Sequence, residues 1–387
     1  ITPFEFMDDY LTSAPSARVR LSGPQARLVA DRADVSERQA AQGFRELPMP
    51  IGIAGVSARR LQQAKERGPE FLRKDTYVLG RAGAAAPGAE TIVAGGNLAA
   101  SASYGDITFA GVGTATSVCD GEVVGFGHPL YQLGATTEGL HPADAIYVQP
   151  DSVFGPFKVA NIGPVVGTLT DDRLTGVSGF FGAAPDATLV SSTVTSPDAA
   201  RTGETRVSVQ DAVPDATFFQ LLTNNDRVLG GNPEGTAVQG WTVTGDDDGE
   251  PFELSFTDRY TGGDLVFDPI FQLADLAYGL AYIDGVSIDS IVADNTVTDD
   301  TTTHGIGIVE QRVKGTWVRV SPDNPVRVKA GGTVYLRLNL DGTAGERIVK
   351  VPAITVPKKA AGRARLSIRG GNGYYSYFYG RSVAALE

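Results

Sequence analysis

The sequence predicts a mainly β protein with a few short helices. Short apolar runs alternate with turn residues over most of the chain, which contains 47 glycines and 22 prolines. Apolar residues make up 42% of the 387 residues, enough for hydrophobic cores in two or three domains.

Composition excludes several classes of function. The net charge of −12 argues against nucleic acid or an anionic membrane surface as the main partner. No run approaches the roughly 18 apolar residues of a membrane-spanning helix. The single cysteine, Cys119, forbids an internal disulfide framework, and the three histidines lack metal-ligand spacing. We therefore predict no metal, no cofactor, no nucleic-acid partner and no integral membrane span. The low cysteine content is typical of an extracytoplasmic protein.

Residues 1–75 are predicted to form a connecting segment with two short helices. The first spans 1–11, where Thr2 and Glu5 form a capping box and Pro3 takes the first helical position. Strands are expected at 18–23 and 26–31. The second helix spans 57–68 and ends at Gly68.

Residues 76–195 read as short strands separated by glycines, a spacing that predicts a β-barrel or a β-sandwich. The runs are TYVLG, TIVAG, ASASYG, ITFAGVGTATSV, GEVVGFG and AIYVQ. Residues 196–312 continue with strands RVSVQD, TAVQGWTVTG, VSIDSIVA and GIGIVEQRV and with a helix over 268–280. Asp268 is the expected N-cap of that helix, and Pro269 its first residue.

Residues 313–387 are predicted to form a separate immunoglobulin-like β-sandwich. In TVYLRLNL, Val334, Leu336, Leu338 and Leu340 face one side of a strand and the residues between them face the other. The aromatic cluster at 374–379 either packs inward in the last strand or forms an exposed edge.

The segment most indicative of chemistry is Gly127-His128-Pro129 at the end of a strand. A histidine held rigidly between glycine and proline suits a general base that serves a nucleophile. A histidine that is hydrogen-bonded within a tight turn is the alternative reading.

The ordered runs GVGTATSV and GEVVGFGHPL resemble the signature of the SpoIVB peptidase family, the stage IV sporulation protein B type of serine endopeptidase. Phe157-Lys158 and the blocks at 167–173 and 176–182 follow in the family's order, so the resemblance covers roughly residues 90–185. It implies a chymotrypsin-like β-barrel peptidase core at 76–195 with His128 as general base. The structural positions of the motif are Gly105, Asp106, Gly111, Gly113, Thr114, Gly127, Pro129, Asp172, Arg173, Gly176 and Gly179.

The family's nucleophile lies in a G-M-S-G-S-P motif with an aspartate shortly before it, and this sequence has no such motif. In relatives the motif precedes a segment reading G-I-T-P-x-E-x-M, which residues 1–7 resemble. The resemblance therefore implies that the barrel is incomplete without an upstream segment. Residues 1–75 would be the end of that upstream peptidase half. Its part before residue 1 would carry the serine and is the expected partner after autoprocessing.

Ser178 is a rival nucleophile, because Gly176-Val177-Ser178-Gly179 has the G-x-S-G form of turns that expose a serine. The family pattern instead makes this segment a structural turn. Asp171, Asp172 and Arg173 are expected to form an ion pair in a loop rather than to supply a triad acid.

The remaining polar groups are assigned to solvent. The acidic runs at 246–250 and 294–300 read either as calcium ligands or as solvated turns, and the missing loop pattern favours turns. His141 and His304 are expected in loops facing solvent, and Cys119, beside Asp120, is not a nucleophile.

Two functions follow. The first is a secreted or cell-surface serine endopeptidase of SpoIVB type. Its substrate would be a protein or peptide, either its own chain or a different one. The second is a non-catalytic surface or assembly module built on the same fold.

Overall fold

The computed structural model of the chain describes residues 21–363 except 34, 43, 46–49, 70–71, 73–75, 80, 83–86, 151–155 and 344, together with residues 18–19, 366, 368 and 383. Its strands are β1 (Arg18–Val19), β2 (Phe44–Arg45), β3 (Pro50–Ala54), β4 (Thr76–Leu79), β5 (Arg81–Ala82), β6 (Asn97–Gly105), β7 (Thr108–Cys119), β8 (Glu122–Gly125), β9 (Gly134–Gln149), β10 (Phe157–Ile162), β11 (Gly167–Arg173), β12 (Gly176–Phe181), β13 (Thr188–Thr195), β14 (Ala200–Val207), β15 (Thr236–Asp247), β16 (Glu250–Thr261), β17 (Val286–Thr298), β18 (His304–Val313), β19 (Thr316–Arg319), β20 (Thr333–Gly342), β21 (Arg347–Lys350) and β22 (Ala353–Thr355). The α-helices are α1 (Gly23–Ala33), α2 (Glu37–Ala40), α3 (Ala58–Arg67), α4 (Val213–Leu229) and α5 (Phe271–Ala281). The predicted helix at 1–11 and the aromatic cluster at 374–379 lie outside the described residues.

Six antiparallel strands close into a barrel in the order β6, β7, β8, β12, β11, β9 and back to β6. The interior holds small and branched apolar side chains, as a six-stranded barrel requires. Leu98, Val123, Leu140, Leu169 and Val177 are all fully buried in this core. Between the two architectures that the strand spacing allows, the barrel is the one that forms.

A second set of strands extends the barrel wall from β6 through β14, β13, β17 and β15 to the edge strand β16. β13 pairs in parallel with β17, whereas the other neighbours in this set are antiparallel. Helices α4 and α5 cover one face of it. Their phenylalanine rings and that of Phe267, just before α5, pack edge to face at centroid distances of 5.2–6.1 Å.

Helix α4 contradicts the prediction of strands and turns throughout 196–262. Residues 213–225 of this helix are buried, including the polar side chains of Thr217, Gln220 and Asn224. A helix without a solvent-facing side shows no amphipathic period, and this concealed it in the sequence. Pro214 near its start and Gly230, which ends it with φ 62°, are the signals that were present. Within the described residues, no helix has the length and apolarity needed to cross a membrane.

Three local predictions are also wrong. Residues 26–31 lie in helix α1 rather than in a strand. Residues 91–95 are not a strand either, because Thr91 ends a 3-10 helix and residues 94–95 form a turn. Asp268 does not cap helix α5. The carboxylate of Asp264 accepts the N–H of Phe267 at 3.2 Å, and Asp268 begins the 3-10 turn that precedes the helix.

The C-terminal strands form a sheet of their own in the order β19, β18, β20, β21, with β22 paired to β20. This sheet starts at His304, upstream of the predicted boundary at 313. The described residues contain one layer here, in which Leu336 is buried and Tyr335 is exposed. The immunoglobulin-like sandwich stays a prediction.

Candidate functional site

Residues 126–133, which we call the His128 loop, join β8 to β9. Phe126 and Gln132 have left-handed backbone angles, with φ values of 71° and 59°, and Gly127 has a φ of 78°. This conformation is uncommon for a bulky residue and costs on the order of 1–3 kcal/mol, so surrounding contacts must enforce it. Such strain occurs preferentially at functional sites.

Two glycines of β7 make room for apolar side chains of the His128 loop. A Cβ atom on Gly113 would lie 2.1 Å from the ring of Phe126, and one on Gly111 would lie 2.4 Å from Leu130. Leu130 is almost fully buried. The glycines of the G-V-G run therefore serve packing, because they let Phe126 and Leu130 of the loop lie against β7.

The carboxylate of Asp172, at the end of β11, lies beneath the same loop. Its Oδ1 accepts the backbone N–H of Leu130 at 2.8 Å, and its Oδ2 accepts those of Tyr131 and Gln132 at 2.6 and 2.7 Å. Asp172 is fully buried, and burial raises the pKa of its carboxyl although these hydrogen bonds oppose the shift.

The predicted loop ion pair at this position is therefore only half right. Asp171 does pair with Arg173, with an N–O distance of 2.9 Å, but both belong to a strand. Asp172 takes no part in that ion pair. Its partners are backbone amides, and it is directed to the opposite side of β11.

His128 itself is exposed at the top of the loop. Its Nδ1 lies 2.9 Å from the carbonyl oxygen of Pro129. Because a carbonyl only accepts, Nδ1 carries the proton, and the lone pair of the neutral ring is on Nε2. In the described part of the chain, neither a serine hydroxyl nor a carboxylate is hydrogen-bonded to His128.

Ser178 is not brought to His128. It is buried in the middle of β12, opposite Val124 of β8, rather than at an exposed turn. The glycines beside it allow strands to approach closely, since a Cβ on Gly179 would lie 2.1 Å from the carbonyl oxygen of Thr168. A Cβ on Gly176 would likewise lie 2.7 Å from a backbone oxygen of β8. This geometry supports the structural reading of the G-x-S-G segment.

No family model, no curated protein and no solved structure matches this chain.

Gly105 and Asp106 join the barrel to the helix-covered sheet. Gly105, the last residue of β6, has a φ of 116°. Both oxygens of Asp106 accept from Arg201 of β14 at 2.7 Å, and Arg201 also donates to Asn224 of helix α4 at 2.6 Å. The glycine-aspartate pair of the motif thus has a structural role here, away from His128.

Thr114, the last residue of the G-V-G-T run, accepts a hydrogen bond from Lys158 at 2.6 Å. A lysine beside a hydroxyl is one arrangement in which a base activates a nucleophile. Lys158 also donates to Asn97 at 2.8 Å and to the carbonyl oxygen of Gly113 at 3.2 Å, so all three ammonium protons are used. Although burial lowers the pKa of Lys158, the group holds β10 against β7 as a donor and is no base.

His141 contradicts the prediction of a solvent-facing loop. It lies in β9 and is 1% exposed. Its Nδ1 donates a hydrogen bond to the carbonyl oxygen of Gly163 at 2.9 Å. Its Nε2 therefore accepts a hydrogen bond from the hydroxyl of Ser101 in β6, at a distance of 2.7 Å. Burial lowers the pKa of His141 and keeps the ring neutral. Because Ser101 is also fully buried, this serine–histidine pair stabilises the barrel wall and cannot meet a substrate.

His304 also departs from its expected place. It is the first residue of β18 and is partly buried, with Nε2 3.3 Å from the carboxylate of Glu346. The acidic run at 246–250 is a hairpin turn, in which Asp248 and Gly249 have φ values of 54° and 93°. These angles match a type I′ turn and support the solvated-turn reading.

Glu138 is the buried acid that the sequence did not reveal. It is fully buried in β9, and neither carboxyl oxygen has a hydrogen-bond partner among the described residues. Burial raises its pKa well above the ordinary value of 4.5, and the nearby charge of Asp172 raises it further. Glu138 is therefore a neutral acid over part of the pH range in which a surface glutamate is ionised.

Glu138→Gln is expected to flatten the pH dependence of stability. The raised pKa in the fold means that the folded protein keeps a proton that the unfolded chain releases near pH 4.5. Stability should therefore fall as the pH rises above 4.5, by about 1.4 kcal/mol for each unit of pKa difference. Urea unfolding at several pH values between 4.5 and 8 should show that the free energy of unfolding of Glu138→Gln rises relative to that of the wild type as the pH increases. The exposed Glu122→Gln is the control, and parallel curves for Glu138→Gln and wild type would refute the prediction.

Proposed function

We propose that this chain is the histidine-bearing part of a serine endopeptidase of SpoIVB type, with a chymotrypsin-like barrel. The observation that supports this most is the His128 loop. Backbone strain at Phe126, two glycines that accommodate the loop, and a buried carboxylate under it all hold one exposed histidine in place. A solvent-exposed histidine needs no such support unless its position matters.

In this proposal His128 is the general base through Nε2. The hydrogen bond from Nδ1 to Pro129 leaves the Nε2 lone pair outward, which is the form that accepts a serine proton. The serine lies in a segment that precedes residue 1. Its oxygen attacks the scissile carbonyl as Nε2 takes the hydroxyl proton, and backbone N–H groups stabilise the oxyanion. His128 then gives that proton to the leaving amine, and water hydrolyses the acyl-enzyme.

The protein is proposed to be secreted or attached to the cell surface, where it acts on a protein or peptide. The single cysteine and the acidic net charge are compatible with that location. Its first substrate is its own precursor, so that the segment with the serine remains as a partner after cleavage.

A non-catalytic surface or assembly module is the second candidate, and two observations favour it. Nδ1 of His128 is bonded to a carbonyl oxygen, whereas a triad histidine bonds to a carboxylate there. The C-terminal sheet also exposes Ile308, Tyr335 and Val349, which suit contacts with another surface.

Labelling of the complete gene product with a fluorophosphonate tests the proposal. The wild type should be labelled on a serine upstream of residue 1. His128→Ala should lower the labelling rate by at least about 100-fold, because the hydroxyl loses its base.

Ser178→Ala is the matched control and should be labelled like the wild type. Labelling that persists in His128→Ala would remove His128 from the base role. If Ser178→Ala alone abolished labelling, the nucleophile would be Ser178, and a wild type that is not labelled at all would favour the non-catalytic module.

A further inference from the structure

We infer that Asp172 is a positioning residue for His128: its carboxylate fixes the backbone of the His128 loop so that the imidazole faces the attacking serine. The inference rests on the proposed function for its catalytic consequence. Its structural part, that Asp172 sets the geometry of His128, stands on the contacts of this chain and can be tested separately.

Three consecutive backbone N–H groups of the loop converge on one carboxylate. The donors are Leu130, Tyr131 and Gln132, and the acceptor Asp172 comes from a strand about forty residues later. Successive N–H groups that point to one centre form an anion-binding concavity. In this loop the protein's own side chain fills that concavity, so the backbone after Pro129 is determined by a residue outside the loop.

A bulge in β11 directs Asp172 inward. The ladder of β11 shifts register between Leu169 and Asp171 against both of its neighbours. Leu169 is buried, Thr170 and Asp171 are partly exposed, and Asp172 is buried again. Regular alternation would direct Asp171 inward and Asp172 outward. Bulges of this kind re-aim side chains next to active sites.

Contacts hold the loop on both sides of His128. Phe126 packs on Gly113 just before His128, and Asp172 binds the residues just after Pro129. The loop is thus held on both sides, and two residues, Gly127 and His128, lie between the apolar contact and Pro129. A displacement of about 1 Å at the second support would move the imidazole by a similar amount, and that is enough to cost about 100-fold in rate.

Asp172→Asn tests the inference, with Asp171→Asn as the matched control. Asparagine keeps one acceptor oxygen and places an NH₂ group against N–H donors, so at least one of the three hydrogen bonds is lost. The control changes the neighbouring carboxylate, which faces Arg173 on the other side of the strand. Asp172→Glu, which keeps the carboxylate, should retain part of the wild-type behaviour that Asp172→Asn loses.

The first readout is nuclear magnetic resonance of the 387-residue chain with labelled histidine, in which three imidazoles are easily told apart. In the wild type and in Asp171→Asn, the His128 signals should show the Nδ1–H form, and the amides of 130–132 should exchange slowly. In Asp172→Asn, the His128 signals should show mixed tautomers, and these amides should exchange at least about 10-fold faster. Unchanged signals and exchange rates would overturn the inference.

The second readout is peptide cleavage by the complete product. Asp172→Asn should lower kcat about 10- to 100-fold with KM unchanged, whereas Asp171→Asn should alter neither. If the wild type has no activity, the proposed function fails. The NMR signals of His128 still decide whether Asp172 positions its imidazole. If Asp172→Asn does not fold, exchange in the wild type decides it: unprotected amides at 130–132 contradict the inference, and protected ones support it.

Discussion

Gly179→Ala is expected to prevent the barrel from closing. A Cβ at this position would lie 2.1 Å from the carbonyl oxygen of Thr168 and 2.4 Å from the Cα of Leu169, both in the backbone of β11. Backbone atoms cannot rotate away as a side chain can, and the strands on either side are closed into a ring. We expect a loss of at least about 3 kcal/mol, which a domain of ordinary stability can barely withstand.

Circular dichroism and urea unfolding measure this effect. Gly231→Ala is the control, because its Cβ would have no atom within 4 Å and its backbone angle is not left-handed. That variant should unfold at nearly the same urea concentration as the wild type. A Gly179→Ala protein with a stability within about 1 kcal/mol of the wild type would show that β11 and β12 are not as close as described.

His141→Ala is the second variant with a large expected effect, a loss of about 3–5 kcal/mol. It would leave a cavity in a closed barrel wall and deprive the Ser101 hydroxyl and the Gly163 carbonyl of their partner. Ser101→Ala should cost less, about 1–3 kcal/mol, and the double variant should be less destabilised than the sum of the two. His128→Ala is the control: it removes an exposed ring and should change stability by less than about 1 kcal/mol.

The imidazole of His141 also makes stability depend on pH, and urea unfolding of these variants can detect this. Burial lowers the pKa of His141, so the unfolded chain takes up a proton near pH 6.5 that the folded protein refuses. The contribution of His141 to stability is therefore complete above pH 6.5 and is lost as the pH falls towards the folded-state value. His141→Ala should lack this loss on acidification, and a variant that keeps it would assign the effect to another group.

Sequence reasoning succeeded where neighbours along the chain decide the structure. Helix α3 lies within the predicted span, and Gly68 caps its C-terminal end as expected. The strand before His128 ends where the glycine and proline around it suggested. Capping residues, turn residues and alternation act within a few residues, so their pattern is visible in one sequence.

The same reasoning failed where both sides of an element are covered. In β9, residues 138–143 are buried in succession, so Glu138 and His141 show no alternation of exposed and buried positions. Pro142 follows the histidine within the same strand, where a proline is uncommon. Helix α4 escaped detection for the same reason, since its polar side chains are buried against β13 and β14.

By itself, the sequence determined the mainly β class, most of the short glycine-separated strands, and the place of a histidine at the end of one of them. The tertiary structure alone decided that six of these strands close into a barrel and that Asp172, Ser101 and His141 become buried. These outcomes depend on pairing between strands far apart in the chain and on a bulge that reverses which side of β11 faces inward. The alternation of apolar and polar residues along the chain reveals neither the strand pairing nor the bulge. Register and barrel closure are set only when distant strands meet.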